Sequence, residues 1–347
     1  MLNRSTSWRR SWPALARPVL AACLLSFSLA HAMSAYYVGN SLTDNIDYGG
    51  VAAMIEAEDI DFTWGRHMIP GAPLEWLWDH NTEGFCEPSC PPTALPTMSW
   101  DHLTLQVCVR HLDSDAENIK NYVDLAVQGN PAVQAYIYVI WPDVSFGDYT
   151  TQWDRDYVPG SWDNSERTAD YFHQLLARVR QDIGYIAPIR LVPVGFVMYE
   201  LEQRMKDGQV SGYTTVHDLY ADNVHLANTG EYVAGLTMFT TLTGIDPRGK
   251  AVPSQYGSIE QGLVTAIQNA VWDVLTAMAD ETGVQPSTAV QPYNVARGIA
   301  TSQGRTPYAR FLLNGARVPT AQALQRRARG STAVMLDRNG VRMLRGR

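Results

Sequence analysis

The pattern that most constrains this chain is an alternation of short apolar runs, rich in β-branched and aromatic residues, with longer segments of helical period. A strand followed by a helix and another strand of the same direction needs a crossover, so repeated alternation predicts a parallel sheet with helices on both faces. Residues 35–38, 61–64, 102–107, 135–141 and 189–194 are the expected strands, five in all. The clearest helix is expected over 164–183, where Ala169, Phe172, Leu175, Leu176, Val179 and Ile183 recur at three- and four-residue steps. Further helices are expected over 43–57, 114–128, 229–243 and 259–281. Segment 142–163, dense in Asp, Tyr, Trp, Gly and Pro, reads as a long loop over the carboxyl edge of the sheet. Loops at that edge shape ligand sites.

Both ends of the chain stand apart from this pattern. Arg4, Arg9, Arg10 and Arg17 precede an apolar run that ends in Ala30-His31-Ala32, the layout of a secretory signal peptide over residues 1–32. The run is too short to span a bilayer, so no stable membrane insertion is expected after cleavage, and the mature chain is expected in the periplasm or outside the cell. In that oxidising setting Cys86 and Cys90 can close a small ring or remain free, and Cys108 reads as a buried small hydrophobe. Residues 33–283 form the expected main domain. From 284 to 347 acids almost vanish and arginines dominate, giving a basic extension. Asn339-Gly340 between two apolar segments reads as a closing β-hairpin, and a plain basic tail is the other reading.

The net charge of −8 conceals this division. Removing the four leader arginines, eleven arginines after residue 295 and Asp337 from 27 basic and 35 acidic residues leaves −22 for residues 33–295. Such a field repels nucleic acid, so no nucleic-acid partner is expected.

Two separated elements carry the chemistry. Tyr37-Val38-Gly39-Asn40-Ser41-Leu42-Thr43 places a serine at the exit of the first strand, just ahead of a helix. Backbone N–H groups there favour the negative charge that appears when a carbonyl is attacked. A serine in that place is also an ordinary helix cap. Far along the chain, Asp222-Asn223-Val224-His225 supplies a base for the hydroxyl and, three residues earlier, a carboxylate to hold the ring.

With Gly39-Asn40-Ser41-Leu42 and Asp222-x-x-His225 together, the chain resembles the SGNH (GDSL-like) hydrolase superfamily, whose first block is G-[DN]-S-[LF] and whose last is D-x-x-H. The resemblance spans roughly residues 34 to 245. It implies an α/β fold, a flavodoxin-like α/β/α sandwich with a five-stranded parallel sheet, and ester hydrolysis through an acyl-enzyme. It further implies Ser41, Asp222 and His225 as catalytic residues, with no cofactor. For the oxyanion hole it implies the Ser41 N–H and, in Ile69-Pro70-Gly71-Ala72, the Gly71 N–H. The third block departs from the family, since no G-x-N-D occurs between Gly71 and Asp222. One branch carries W-D-x-x-x-x-Q instead, which Trp100 to Gln106 resembles, making Gln106 the expected third donor.

Trp76, His80 and Trp141 are the expected substrate-binding residues, the tryptophans being suited to stacking on a sugar and equally to core packing. The histidines show no H-x-x-x-H or H-E-x-x-H spacing, so no metal is expected. An exported esterase acting on short acyl groups of a small-molecule or glycan ester is the reading these residues favour. A carbohydrate-binding protein without catalysis, or a lipase or thioesterase, are the alternatives.

Overall fold

In the computed structural model, residues 31–108, 111–160, 165–286, 334–337 and 340–343 are described. Residues 1–30 of the expected signal peptide, and the extension apart from 284–286 and the two strand segments, lie outside them, while the last two residues of that expected leader, His31 and Ala32, open the first strand. The chain divides into two units, residues 1–290 and 291–347.

The first unit holds a six-stranded sheet. Its strands are β1 (His31–Gly39), β2 (Ile60–Met68), β3 (Phe85–Glu87), β4 (His102–Gln106), β5 (Gln134–Tyr138) and β6 (Arg190–Val192), in the order β3-β2-β1-β4-β5-β6. Five strands are parallel, and β3 pairs antiparallel on the edge of β2. The parallel set has the flavodoxin-like order, with its switch point between β1 and β4, where crossovers depart to opposite faces and leave a crevice at the carboxyl ends. β3 is the strand that sequence reading omits. Its three residues sit in a Pro- and Cys-rich stretch, too short for any period, and the Cys86–Cys90 disulfide closes the turn that follows it.

The helices are α1 (Ser41–Asp44), α2 (Tyr48–Glu56), α3 (Leu74–Asp79), α4 (Pro91–Thr97), α5 (Leu112–Gly129), α6 (Tyr149–Trp153), α7 (Ala169–Asp182), α8 (Val194–Lys206), α9 (Asn228–Thr243), α10 (Gln261–Ala277) and α11 (Ala279–Thr282). They form two groups, α2 with α8, α9 and α10, and α3, α4 and α7 around α5. α7 buries Phe172, Leu175, Leu176 and Val179, as its spacing predicts, each side chain contributing roughly 1.5–3 kcal/mol of transfer energy. Thr168 caps it by accepting from the Tyr171 N–H. α9 is buried almost all round because it packs on α2, α8 and α10 as well as β6.

The helix expected over 43–57 is two helices. Asp47 adopts φ +48° between them and caps α2 by accepting from the Gly50 N–H. This break leaves α1 a single turn, which presents N–H groups but little macrodipole. In the second unit, β7 (Val334–Asp337) and β8 (Gly340–Met343) pair antiparallel.

Candidate active site

The Ser41 turn is fixed from beneath. Gly39 lies so close to its neighbours that a Cβ would fall 1.8 Å from Thr43 Oγ1 and 2.7 Å from Gln106 Oε1, so only glycine fits. Asn40 caps α1, its Oδ1 accepting from the Leu42 N–H at 3.0 Å, while its Nδ2 donates to the Ala72 carbonyl at 3.0 Å. The second contact ties the turn to the loop after β2. Gln106, at the end of β4, accepts from the Asn40 N–H (3.0 Å) and the Thr43 hydroxyl (2.5 Å) on Oε1, and donates from Nε2 to Asn40 Oδ1 (2.9 Å).

That placement corrects the expected role of Gln106. The residue is 1% exposed, and a substrate oxygen is about as large as the water that cannot reach it. Gln106 braces the nucleophile turn and does not face the cleft. Trp100 and Asp101 of the same motif are also structural. Trp100 Nε1 donates to the Ala94 carbonyl, and Asp101 Oδ2 accepts from the Ser34 N–H and hydroxyl.

The histidine arrives on a loop folded by its own carboxylate. Asp222 Oδ1 accepts from the N–H groups of Val224 (2.8 Å) and His225 (2.7 Å), and Oδ2 lies 2.8 Å from His225 Nδ1. These bonds hold the Asp222 carboxyl down at about 2, the backbone N–H of His225 contributing most. An ionised carboxylate only accepts, so Nδ1 carries the proton and Nε2 of the neutral ring is left to accept. His225 Nε2 stands 2.9 Å from Ser41 Oγ, bridging 184 residues of chain.

Further contacts set that meeting. Leu226 N–H donates to Asn45 Oδ1 (3.3 Å), Val144 N–H to the Asn223 carbonyl (2.9 Å), and Trp141 Nε1–H to the Val224 carbonyl (2.8 Å). Trp141 is therefore a second correction. It is fully buried, set edge-on to Tyr138, and acts as a strut under the histidine loop, out of reach of substrate. Trp153 is likewise buried, while Trp78 packs edge-on against Tyr122.

Gly71 takes φ +69° at the turn after β2, with open space where a side chain would stand. Its loop leads into α3, where Trp76 is 51% exposed and stacks on His80 with ring centroids 3.9 Å apart. His80 Nδ1 donates to the Trp76 carbonyl at 3.0 Å, so one face of the pair is held rigid. Among the described residues no group of three His, Cys, Asp or Glu side chains converges as a metal site.

Sequence reasoning overlooked Asn40 and Asn45. Asn40 is a recognisable N-cap, and that signal was available in the motif. Asn45 carries no local signal, because its partner comes from residue 226.

No family model matches the chain, and no curated protein matches it. Among solved structures it is similar to a DUF4886 family protein from Bacteroides uniformis, at 17% identity and TM-score 0.51, over 72% of this chain and 96% of that one. The two share a fold. It is also similar to a lipolytic G-D-S-L family protein from Veillonella parvula, at 14% identity and TM-score 0.40, covering 61% of this chain and 100% of that one. A carbohydrate esterase family 3 protein from Talaromyces cellulolyticus follows at 13% identity and TM-score 0.39, covering 60% and 96%. Structural neighbours of this chain are thus GDSL-like lipolytic proteins and carbohydrate esterases, at low sequence identity.

Proposed function

We propose that this protein is a serine esterase of the SGNH type, with Ser41 as nucleophile, His225 as general base and Asp222 as its orienting partner. The observation that carries the reading is the continuous hydrogen-bond chain Asp222 Oδ2–His225–Ser41 Oγ, with links of 2.8 and 2.9 Å. His225 Nε2 takes the hydroxyl proton as Ser41 Oγ bonds to the ester carbonyl carbon, and the carbonyl oxygen becomes an oxyanion. The N–H groups of Ser41 and Gly71 receive that charge, since α1 begins at Ser41 and the loop of Gly71 is bonded to Asn40 beside it. As the tetrahedral intermediate collapses, imidazolium returns the proton to the departing alcohol. Water, deprotonated by His225, then attacks the acyl-enzyme and releases the acid and the free serine. No cofactor is consumed.

Short acyl groups, acetyl foremost, on a carbohydrate alcohol suit this cleft. Asp222 and His225 are 57% and 38% exposed, a polar and open rim, and the Trp76–His80 stack offers a flat platform for a sugar ring. The leader sequence and the Cys86–Cys90 bond support export to an oxidising compartment. Hydrolysis of nitrophenyl esters from acetyl to palmitoyl tests the reading. Rates should fall with chain length and vanish in Ser41→Ala. A preference for palmitoyl would remove the short-acyl assignment, and turnover that survives Ser41→Ala would remove the mechanism.

A further inference from the structure

Beside the triad, a cleft of about 400 Å³ opens on the flank of the sheet where α1, the start of α2, β2 and β3 meet. Sites for small molecules run from roughly 300 to 1,000 Å³, so this one suits a single ligand ring. The cleft begins next to the catalytic turn. Asp44, one of its wall residues, closes the α1 turn that Ser41 opens. Residues three apart on a helix share a face, with Cβ atoms about 5–6 Å apart. A chain bound at Ser41 has the cleft within reach past Asp44.

The wall is aromatic and braced. Trp64, half-buried, stacks on Tyr48 with ring centroids 4.8 Å apart and planes 15° from parallel. Arg66 holds its guanidinium 5.3 Å from the Tyr48 centroid and pairs with Asp44 (3.2 Å) and Glu87 (3.3 Å). These contacts fix rings and carboxylates in advance, so less ordering entropy remains to be lost on binding. Each carboxylate spends one oxygen on the protein. Asp44 Oδ1 accepts from the Tyr48 hydroxyl and Arg66, Asp47 Oδ1 from the Gly50 N–H, and Glu87 Oε1 from Arg66. Among the described residues nothing donates to Asp44 Oδ2, Asp47 Oδ2 or Glu87 Oε2. The Asp44 and Glu87 side chains are 32% and 52% exposed, so a ligand can reach them.

We propose that this cleft is a sugar subsite, which binds an uncharged pyranose unit of the glycan next to the unit whose ester is cleaved. The inference rests on the esterase reading above for the bond that is cleaved. A pyranose has an apolar ring face to lay on the indole, and hydroxyls around its edge that donate to carboxylate oxygens in charge-assisted bonds. Acceptors spread over α1, the cap of α2 and β3 suit several hydroxyls better than one point cation, and Arg66 already offsets part of their charge. Uronic and sulfated chains are disfavoured by the same carboxylates and by the charge of −22 over residues 33–295. The preferred substrate is therefore an acylated neutral oligosaccharide and not a monosaccharide ester.

The test measures kcat/KM on acetylated cellotetraose and xylotetraose against acetylated glucose and xylose, with nitrophenyl acetate as a substrate too small to fill the cleft. Wild type should prefer the tetrasaccharides by about tenfold or more. Trp64→Ala should remove that preference, lowering kcat/KM on them roughly 10-fold, with Trp64→Phe recovering part and turnover of nitrophenyl acetate unchanged. Glu87→Ala changes a side chain that is 52% exposed, so it tests the cleft even where Trp64→Ala fails to fold, and should cost the tetrasaccharides about 3- to 10-fold. Equal kcat/KM on tetrasaccharides and monosaccharides in wild type, a preference for acetylated tetragalacturonate, or variant losses shared by nitrophenyl acetate would overturn the inference and leave the esterase reading intact. Calorimetric titration of the full chain with unacetylated cellotetraose and xylotetraose separates the two claims. Binding that Trp64→Ala or Glu87→Ala weakens, with no ester turned over by wild type, would support the cleft as a glycan site and sink the esterase.

Discussion

The Ser41 turn and the Asp222–His225 loop supply opposite ends of one hydrogen-bond chain, yet the first is sealed into the sheet edge and the second stands open to solvent. Asn40 and Gln106 are buried and exchange three hydrogen bonds between themselves and Thr43, with Gly39 admitting no side chain. Asp222 instead folds its own four-residue loop through the N–H groups of Val224 and His225, with Trp141 and Val144 as outside props. The contrast teaches where each half gets its precision. The nucleophile is positioned by the core, so its geometry is coupled to global stability. The histidine is positioned by a local turn, so its geometry can be lost while the fold survives.

The comparison breaks most sharply at the reacting atoms. Ser41→Ala and His225→Ala should each lower kcat by about 10⁴- to 10⁶-fold, measured on nitrophenyl acetate, with melting temperature almost unmoved. Asp222→Asn comes next, at about 10²- to 10⁴-fold, because an amide can donate to Nδ1 and favour the wrong tautomer. Denaturant unfolding of Asp222→Asn should fall only slightly below wild type, because the amide oxygen can still accept from the Val224 and His225 N–H groups.

Gln106→Leu probes the buried half. It strands the Asn40 N–H and the Thr43 hydroxyl and removes one of the two hydrogen bonds to Asn40 Oδ1, and should cost about 3 kcal/mol in urea unfolding together with about 10²-fold in kcat. Loss of activity with unchanged stability would instead return Gln106 to the cleft as a donor.

Acid titration separates the halves by sign. Burial pushes the His102 imidazole at the start of β4 from 6.5 down to about 4. The unfolded chain therefore binds the extra proton, and stability is full above pH 6.5 and declines by about 3 kcal/mol as pH falls to 4. His102→Gln should flatten that slope in unfolding measured between those values. Asp222 has a depressed folded pKa, so its contribution is present above the unfolded 3.8 and lost only as pH falls through about 2. Mild acid should thus loosen the buried sheet before it disturbs the carboxylate turn. The smallest effect belongs to Cys86→Ser with Cys90→Ser, about 2 kcal/mol by loop entropy, confined to the β3 edge and read as a lower urea midpoint.

Much of this architecture was legible before any coordinates. The five parallel strands follow from apolar runs of the right length, and α7 follows from the spacing of its buried face. Ser41, His225 and Asp222 stand out because their motifs are local. What stayed hidden depends on tertiary direction. α8 begins at Val194 directly after β6, so its first apolar turn reads as more strand. Gln106 and Trp141 are chemically suited to a cleft, and only the partners of their amide and indole nitrogens reveal that they point into the protein.

The central claim is that Ser41 is an activated hydroxyl open to an acyl donor. Incubation with a fluorophosphonate followed by peptide mass spectrometry tests this directly. One adduct on Ser41, slowed by orders of magnitude in His225→Ala, is the expected result. A protein that stays unlabelled, or a wild type modified at another residue, would contradict it.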